Sequence, residues 1–162
     1  MKTIWTALVF TGVVCIATAS SPSIAQEQAC TEMGCESGVI FNLDHDRQWK
    51  PGNYVFYATM DMKTYACKGE LPLKPCAEGA SFICSSPLLS ISESGCALPK
   101  EEHGLTQIKL DGKPQKVIIR MTYQGEPLFT KTLHPRYDMS QPNGPACGPV
   151  CYTATYRLLV AE

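Results

Sequence analysis

Apolar and polar residues alternate with a period of two along most of the chain after residue 25, which is the pattern of half-buried β-strands. Clear alternating segments run over residues 39–44, 117–123 and 152–160. Residues 54–60 are apolar on both faces, and this pattern is typical of a central strand. No long stripe with the 3.6-residue period of a helix interrupts them. We therefore predict an all-β domain.

Turn-forming residues separate these segments. Asp111-Gly112 predicts a tight hairpin between strands at 105–110 and 116–123, because such turns require positive φ angles. Gln124-Gly125 then returns the chain into residues 128–134. Together these strands form a predicted three-stranded meander.

Further turns extend the same pattern. Met60-Asp61-Met62-Lys63 predicts a hairpin from 54–60 into 63–69, and residues 88–92 form another short strand candidate. Residues 135–149 contain four prolines and predict an ordered, disulfide-bridged loop. About six to eight short strands favour an immunoglobulin-like antiparallel β-sandwich stapled by disulfides and preceded by a signal-peptide helix.

A partial likeness to antibody domains lies near residue 49. Cys35 and Trp49 stand 14 positions apart, and Trp49-Lys50-Pro51-Gly52 resembles the tryptophan strand of those domains. The Tyr-x-Cys sequence of the partner strand is missing, so we attribute this spacing to coincidence.

Residues 1–25 have the three parts of a secretory signal peptide. Lys2 precedes an apolar stretch over 4–19, and Ser23-Ile24-Ala25 predicts cleavage before Gln26. The alternatives are a membrane anchor or a lipid anchor through Cys15, and the Thr, Ser and Gly content of the stretch argues against a span. Cleavage leaves one predicted domain, residues 26–162, with no stable membrane span.

The charge of this domain excludes one class of partner. It carries 13 Lys and Arg against 15 Asp and Glu, a net charge of −2 with His neutral. A basic field that would collect nucleic acid or anionic lipid is therefore absent.

Eight cysteines follow the leader, and an even number in an exported chain predicts four disulfides. They are Cys30, Cys35, Cys67, Cys76, Cys84, Cys96, Cys147 and Cys151. Sequence alone does not determine the pairing, although the short spacings make local bridges plausible between Cys30 and Cys35, Cys76 and Cys84, and Cys147 and Cys151. Disulfides indicate a secreted or periplasmic location.

Cys147-Gly148-Pro149-Val150-Cys151 has two functional alternatives. It superficially resembles the thioredoxin CGPC motif with one residue inserted, but the β-type alternation after it does not provide a helix N-terminus to activate a thiolate. A copper-delivering CxxxC site requires a downstream histidine, and the last histidine is His134. Zinc is disfavoured because tight CxxC pairs are missing. A structural bridge is the favoured interpretation.

Two other clusters contain residue types that occur in metal or acid–base sites. Asp44-His45-Asp46-Arg47 is the densest polar cluster, but alternate residues of a strand point to opposite faces, so an exposed loop is the simpler interpretation. A copper(I) set would comprise Met60, Met62, Met121, Met139, His103 and His134. No repeated spacing supports that set.

Pro142 to Cys151 resembles a C-terminal segment of uncharacterised exported bacterial proteins, and this resemblance implies no activity. Without a nucleophile elbow or a phosphate-binding loop, we expect a non-enzymatic exported binding module without cofactor, which recognises a protein or a glycan. The alternative is a metal-handling or thiol-redox protein using Cys147 and Cys151, and an inhibitor of a secreted hydrolase is a third hypothesis. The expected recognition loops are 44–53 and 135–149, with Asp44, His45, Asp46, Arg47, Trp49, Arg136, Tyr137 and Asn143 as candidate contacts.

Overall fold

Two β-sheets pack face to face in the computed structural model, which describes residues 29–44 and 48–160. Ten strands lie within these ranges, together with two single turns of 3-10 helix at Cys76–Glu78 and Lys100–Glu102. The strands are β1 Gly38–Asp44, β2 Gly52–Met60, β3 Lys63–Leu71, β4 Ile83–Cys84, β5 Leu89–Ser94, β6 Gly104–Asp111, β7 Val117–Tyr123, β8 Glu126–Leu133, β9 Asp138–Ser140 and β10 Cys151–Leu159.

The first sheet has the strand order β5-β6-β1-β10-β9, and the second has the order β4-β3-β2-β7-β8. Neighbouring strands are antiparallel except for β1 and β10, which run parallel. The predicted immunoglobulin-like sandwich is thus confirmed as an all-β fold of two largely antiparallel sheets stapled by disulfides. The predicted signal-peptide helix lies outside the described residues.

The core lies between the sheets and is built from the alternating apolar positions. Val39 and Phe41 face it from β1, and Val117, Ile119 and Met121 face it from β7, all without solvent exposure. The inward faces predicted from the period-two pattern are confirmed at these positions. Burying each large side chain contributes about 1.5–3 kcal/mol relative to leaving it exposed.

The predicted three-stranded meander is wrong at its first turn. β6 pairs with β1 and β5 in the first sheet, whereas β7 pairs with β2 and β8 in the second. Residues 112–116 cross between the sheets with Pro114 buried, and the Asp61 carboxylate accepts hydrogen bonds of 3.1 Å from the amides of Gln115 and Lys116. A five-residue connection that contains a buried proline does not close a two-residue hairpin.

The other two predicted hairpins are confirmed. β2 and β3 pair directly across the turn at Asp61, whose φ is 55°. β7 and β8 pair across Gln124 and Gly125, which both have positive φ angles. Positive φ at turn positions matches the right-handed twist of the strands that they join.

Four disulfides join the eight cysteines in the described part of the chain, and none of the predicted local pairs forms. The pairs are Cys30–Cys147, Cys35–Cys151, Cys67–Cys84 and Cys76–Cys96. The parallel pairing of β1 with β10 explains the first two, because it places the segment before β1 beside the start of β10. Cys67 and Cys84 stand directly opposite each other on β3 and β4. Strand pairing, rather than spacing along the chain, sets the connectivity.

The register of β1 and β10 defines two ends of the sandwich. Gly38 is opposite Thr153 and Asp44 is opposite Leu159, so both strands run in the same direction. We call the end at Asp44 the upper end and the end at Cys151 the lower end. At about 3.3 Å per residue, the nine residues of β10 separate them by about 26 Å.

Candidate functional site

A cavity of about 380 Å³ opens at the upper end of the sandwich. It forms where β1 ends, where the chain approaches β2, and where the 3-10 turn Lys100–Glu102 leads into β6. The residues that line it are Leu43, Asp44, Gln48, Trp49, Ser94, Glu101, Glu102, His103, Gly104, Leu105 and Thr106. We call it the Trp49–His103 cavity.

The indole of Trp49 forms one wall and is held by close packing. It meets the ring of Tyr54 edge-on, with 5.5 Å between centroids and an interplanar angle of 79°. Tyr54 is itself fixed, because its hydroxyl donates a 2.9 Å hydrogen bond to the carbonyl of Lys50. Trp49 is half-buried, so the indole combines a fixed position with partial access to solvent.

His103 is almost fully buried, with 7% of its surface exposed. Its Nε2 lies 3.0 Å from the carbonyl oxygen of Leu98. A carbonyl only accepts hydrogen bonds, so Nε2 carries the proton, and in the neutral ring Nδ1 presents a lone pair. Nδ1 is buried without a hydrogen-bond partner in the described structure. An unpaired buried polar atom is costly, and a donor reaching it would stabilise the site.

Carboxylates dominate the charge of the described residues that line the cavity. Asp44, Glu101 and Glu102 line it and are exposed, whereas none of the described lining residues is Lys or Arg. A concave site lined by one sign of charge concentrates the opposite ion. An indole wall adds attraction for a cation placed over its face. The chemistry of the cavity therefore suits a cationic group.

The structure separates the two predicted recognition loops. Asp44 and Trp49 line the cavity at the upper end, whereas residues 141–150 lie at the lower end, where β9 turns back into β10. The two loops therefore do not form one continuous surface. His45, Asp46 and Arg47 lie outside the described residues.

At the lower end, Asn143 acts as an internal clamp. Its Oδ1 accepts hydrogen bonds from the Thr31 hydroxyl (2.5 Å) and the Met33 amide (3.1 Å). Its Nδ2 donates to the carbonyls of Met33 (2.9 Å) and Gly148 (2.6 Å). These four contacts occupy the side-chain amide and tie the N-terminal segment to the loop before β10.

Tyr137 is likewise engaged within the protein. Its hydroxyl donates a 2.8 Å hydrogen bond to the carbonyl of Pro114. Burial raises the pKa of Tyr137 to about 12, with smaller contributions from Tyr156 and Asp61. Nearby, Arg136 has an exposed side chain and donates its backbone amide to the Tyr156 hydroxyl at 3.3 Å. Of the three predicted contacts at this end, Arg136 alone presents an exposed side chain.

The residues of the alternative metal and redox hypotheses lie in different parts of the fold. Cys147 and Cys151 are each bonded to a different cysteine of the N-terminal segment, so they do not form a CxxxC disulfide. Met121 is buried in the core, whereas Met62 lies in the turn between β2 and β3 with 94% of its surface exposed. Within residues 29–44 and 48–160, no group of three His, Cys, Asp or Glu side chains is arranged to hold a metal ion.

No sequence pattern pointed to Glu101, Glu102 or Gly104, and His103 appeared only in the predicted copper(I) set. The local signal was a short charged run between Pro99 and the strand that begins at Gly104. This charged run lies near Trp49 because two segments about fifty residues apart in the sequence pack together. No local sequence pattern predicts such a contact.

No family model, curated protein or solved structure matches this chain. In the described part of the chain, none of the helical segments has the length and apolar character needed to cross a bilayer.

Proposed function

We propose that this protein is an exported, non-enzymatic binding module that holds a cationic side chain of a partner protein in the Trp49–His103 cavity. Export through the leader at residues 1–25, with cleavage before Gln26, delivers the chain to the periplasm or the exterior. Two features support export: the three-part leader sequence and the four disulfides, which are typical of proteins in oxidising compartments.

One observation carries the proposal, namely the convergence of an indole and three carboxylates around a cavity that His103 also lines. The carboxylates Asp44, Glu101 and Glu102 attract an ammonium group. The indole of Trp49 lies against its alkyl stem or its charge. These side chains accept hydrogen bonds and supply an aromatic surface, so they are suited to holding a ligand.

The single tryptophan outside the leader makes a direct test practical. The sequence contains Trp5 and Trp49, so after cleavage at residue 25 all indole fluorescence reports on the cavity. We expect pentalysine to change the emission of Trp49 in a saturable manner and pentaglutamate to leave it unchanged. Raising the salt concentration should weaken binding, because exposed charges are screened.

Two double variants that remove the same charge distinguish binding in this cavity from general attraction of pentalysine to an acidic protein. Glu101→Gln with Glu102→Gln should weaken pentalysine binding about tenfold, a loss within the range for charge-assisted contacts. Glu32→Gln with Glu78→Gln removes the same charge elsewhere and should leave affinity within about twofold. Equal losses in the two pairs, or no saturable emission change, would contradict the proposal.

A further inference from the structure

Two rows of side chains cross the outer side of the second sheet. The pairing of β3, β2, β7 and β8 places Thr64, Thr59, Ile118 and Thr132 side by side in one row. The next row contains Ala66, Tyr57, Arg120 and Thr130. We call these two rows the threonine face. With about 4.8 Å between neighbouring strands, the face is about 14 Å wide.

A groove of about 370 Å³ runs over the threonine face. The Arg120 guanidinium carbon lies 4.3 Å from the centroid of the Tyr57 ring, so Arg120 covers the ring from the β7 side. On the β3 side the residue opposite Tyr57 is Ala66, which has a small side chain, and Tyr57 itself is partly exposed. The groove therefore offers an aromatic surface beside a fixed cation.

The charge on the threonine face is uncompensated. Neither row contains a carboxylate, and Arg120 is exposed without an ion pair to any described residue. Lys68 stands in the adjacent row, opposite Val55, and adds a second positive charge on the same side. An Arg fork that lacks an acidic neighbour is a suitable donor to a ligand carboxylate, because its N–H groups match carboxylate geometry.

Three threonines line the same groove as Arg120. Thr59 and Thr64 lie 2.8 Å apart through their Oγ1 atoms, and Thr130 lines the opposite side of the groove. Hydroxyls both donate and accept hydrogen bonds, so they pair with groups that do the same. A sugar ring presents hydroxyls around its rim and C–H groups on its faces. A uronic acid adds a carboxylate.

We propose that the threonine face binds an acidic polysaccharide, with a uronate carboxylate on Arg120 and a sugar ring against Tyr57. This surface is distinct from the cavity at the upper end, so the proposal does not depend on the cationic ligand proposed there. The observations favour a glycan over an acidic peptide, because the groove combines an aromatic surface with several hydroxyls and contains one central Arg.

The test uses the intact, disulfide-bonded protein and measures binding of polygalacturonate oligosaccharides by calorimetry. The fully methyl-esterified oligosaccharide has the same sugar backbone without charge and serves as the ligand control. We expect the acid form to bind and the ester to bind at least tenfold more weakly. Arg120→Ala should reduce affinity for the acid form about tenfold to hundredfold, as expected for hydrogen bonds to charged groups.

Arg157→Ala is the matched protein control. Arg157 is an exposed Arg on β10, beside Asn42 on the outer side of the first sheet, and its loss should leave affinity within about twofold. Tyr57→Ala should weaken binding of the acid form without changing the circular dichroism of the fold. The proposal is overturned if the acid and ester bind equally, if the two Arg variants behave alike, or if polyglutamate binds while polygalacturonate does not.

Discussion

Gly104 lies directly against the indole of Trp49: a Cβ atom at residue 104 would stand 2.7 Å from Trp49 Cδ1 and 3.0 Å from Nε1. Gly104→Ala is therefore expected to displace the indole from its contact with Tyr54. Overpacking of this kind costs about 1–3 kcal/mol. Urea denaturation should show this loss, and the emission of Trp49 should shift in the folded state.

Gly34→Ala is the control for that substitution, because a Cβ atom there would meet nothing within 4 Å. Its stability and emission should match those of the parent protein. An unchanged Trp49 emission in Gly104→Ala would show that the indole does not pack against residue 104.

Strand positions could be predicted from the sequence because they depend on local alternation. Residues 39–44 and 117–123 show their buried faces in the period-two pattern, and Gln124-Gly125 signals its hairpin. This local alternation is the same whichever of the two sheets the strand joins.

The partners of each strand could not be predicted in the same way. The connection at 112–116 leads to another sheet, and the parallel β1–β10 pair joins the first strand to the last. Both features depend on long-range packing, and the disulfide connectivity and the Trp49–His103 cavity depend on them in turn. Local spacing therefore predicted the wrong cysteine pairs, and it missed the contact between Trp49 and Gly104.

Cys30–Cys147 and Cys35–Cys151 are expected to stabilise the fold redundantly, because both close nearly the same long loop. With one bridge intact, the other closes a ring of only about ten residues. Its loss alone should therefore lower the free energy of unfolding by about 2–3 kcal/mol. Removal of both opens the whole loop and should cost about 7 kcal/mol, more than the sum of the single losses. Urea denaturation of the two Cys→Ser pairs and of the quadruple variant tests this prediction.

Peptide mapping of the non-reduced protein checks the connectivity itself. Fragments that join Cys30 to Cys147 and Cys35 to Cys151 are expected. A fragment joining Cys147 to Cys151, or strictly additive losses in the denaturation series, would contradict the arrangement.

Glu93 connects the two sheets through a loop. Its carboxylate on β5 accepts hydrogen bonds from the amides of Ser81 (3.1 Å) and Phe82 (2.6 Å). Phe82 is buried and packs edge-on against Phe56 in the core, with 6.1 Å between centroids. Glu93→Gln replaces one acceptor oxygen with an amino group and should destabilise the fold by about 1–3 kcal/mol.

Thermal and urea denaturation measure the effect, with Glu126→Gln as the control. Glu126 is exposed at the start of β8, so its neutralisation should change stability by no more than about 0.5 kcal/mol. Hydrogen exchange at the amides of Ser81 and Phe82 should accelerate in Glu93→Gln alone. Equal stability of the two variants would show that the carboxylate does not hold this loop.

Tyr137 is expected to make stability depend on alkaline pH. Burial raises the pKa of its phenol from the ordinary 10.0 to about 12 in the folded protein, so the folded state holds this proton more tightly than the unfolded chain does. The resulting stabilisation is complete below pH 10 and is lost as the pH rises from 10 to about 12. The neutral hydroxyl also donates to Pro114, and deprotonation would break that bond.

Ultraviolet titration of the seven tyrosines, compared with Tyr137→Phe, should reveal one phenol that ionises near pH 12 only in the parent. In thermal denaturation after brief exposure to each pH, the melting temperature should fall less steeply between pH 10 and 12 in Tyr137→Phe than in the parent. Parallel falls would mean that the Tyr137 phenol ionises equally readily in the folded and unfolded states.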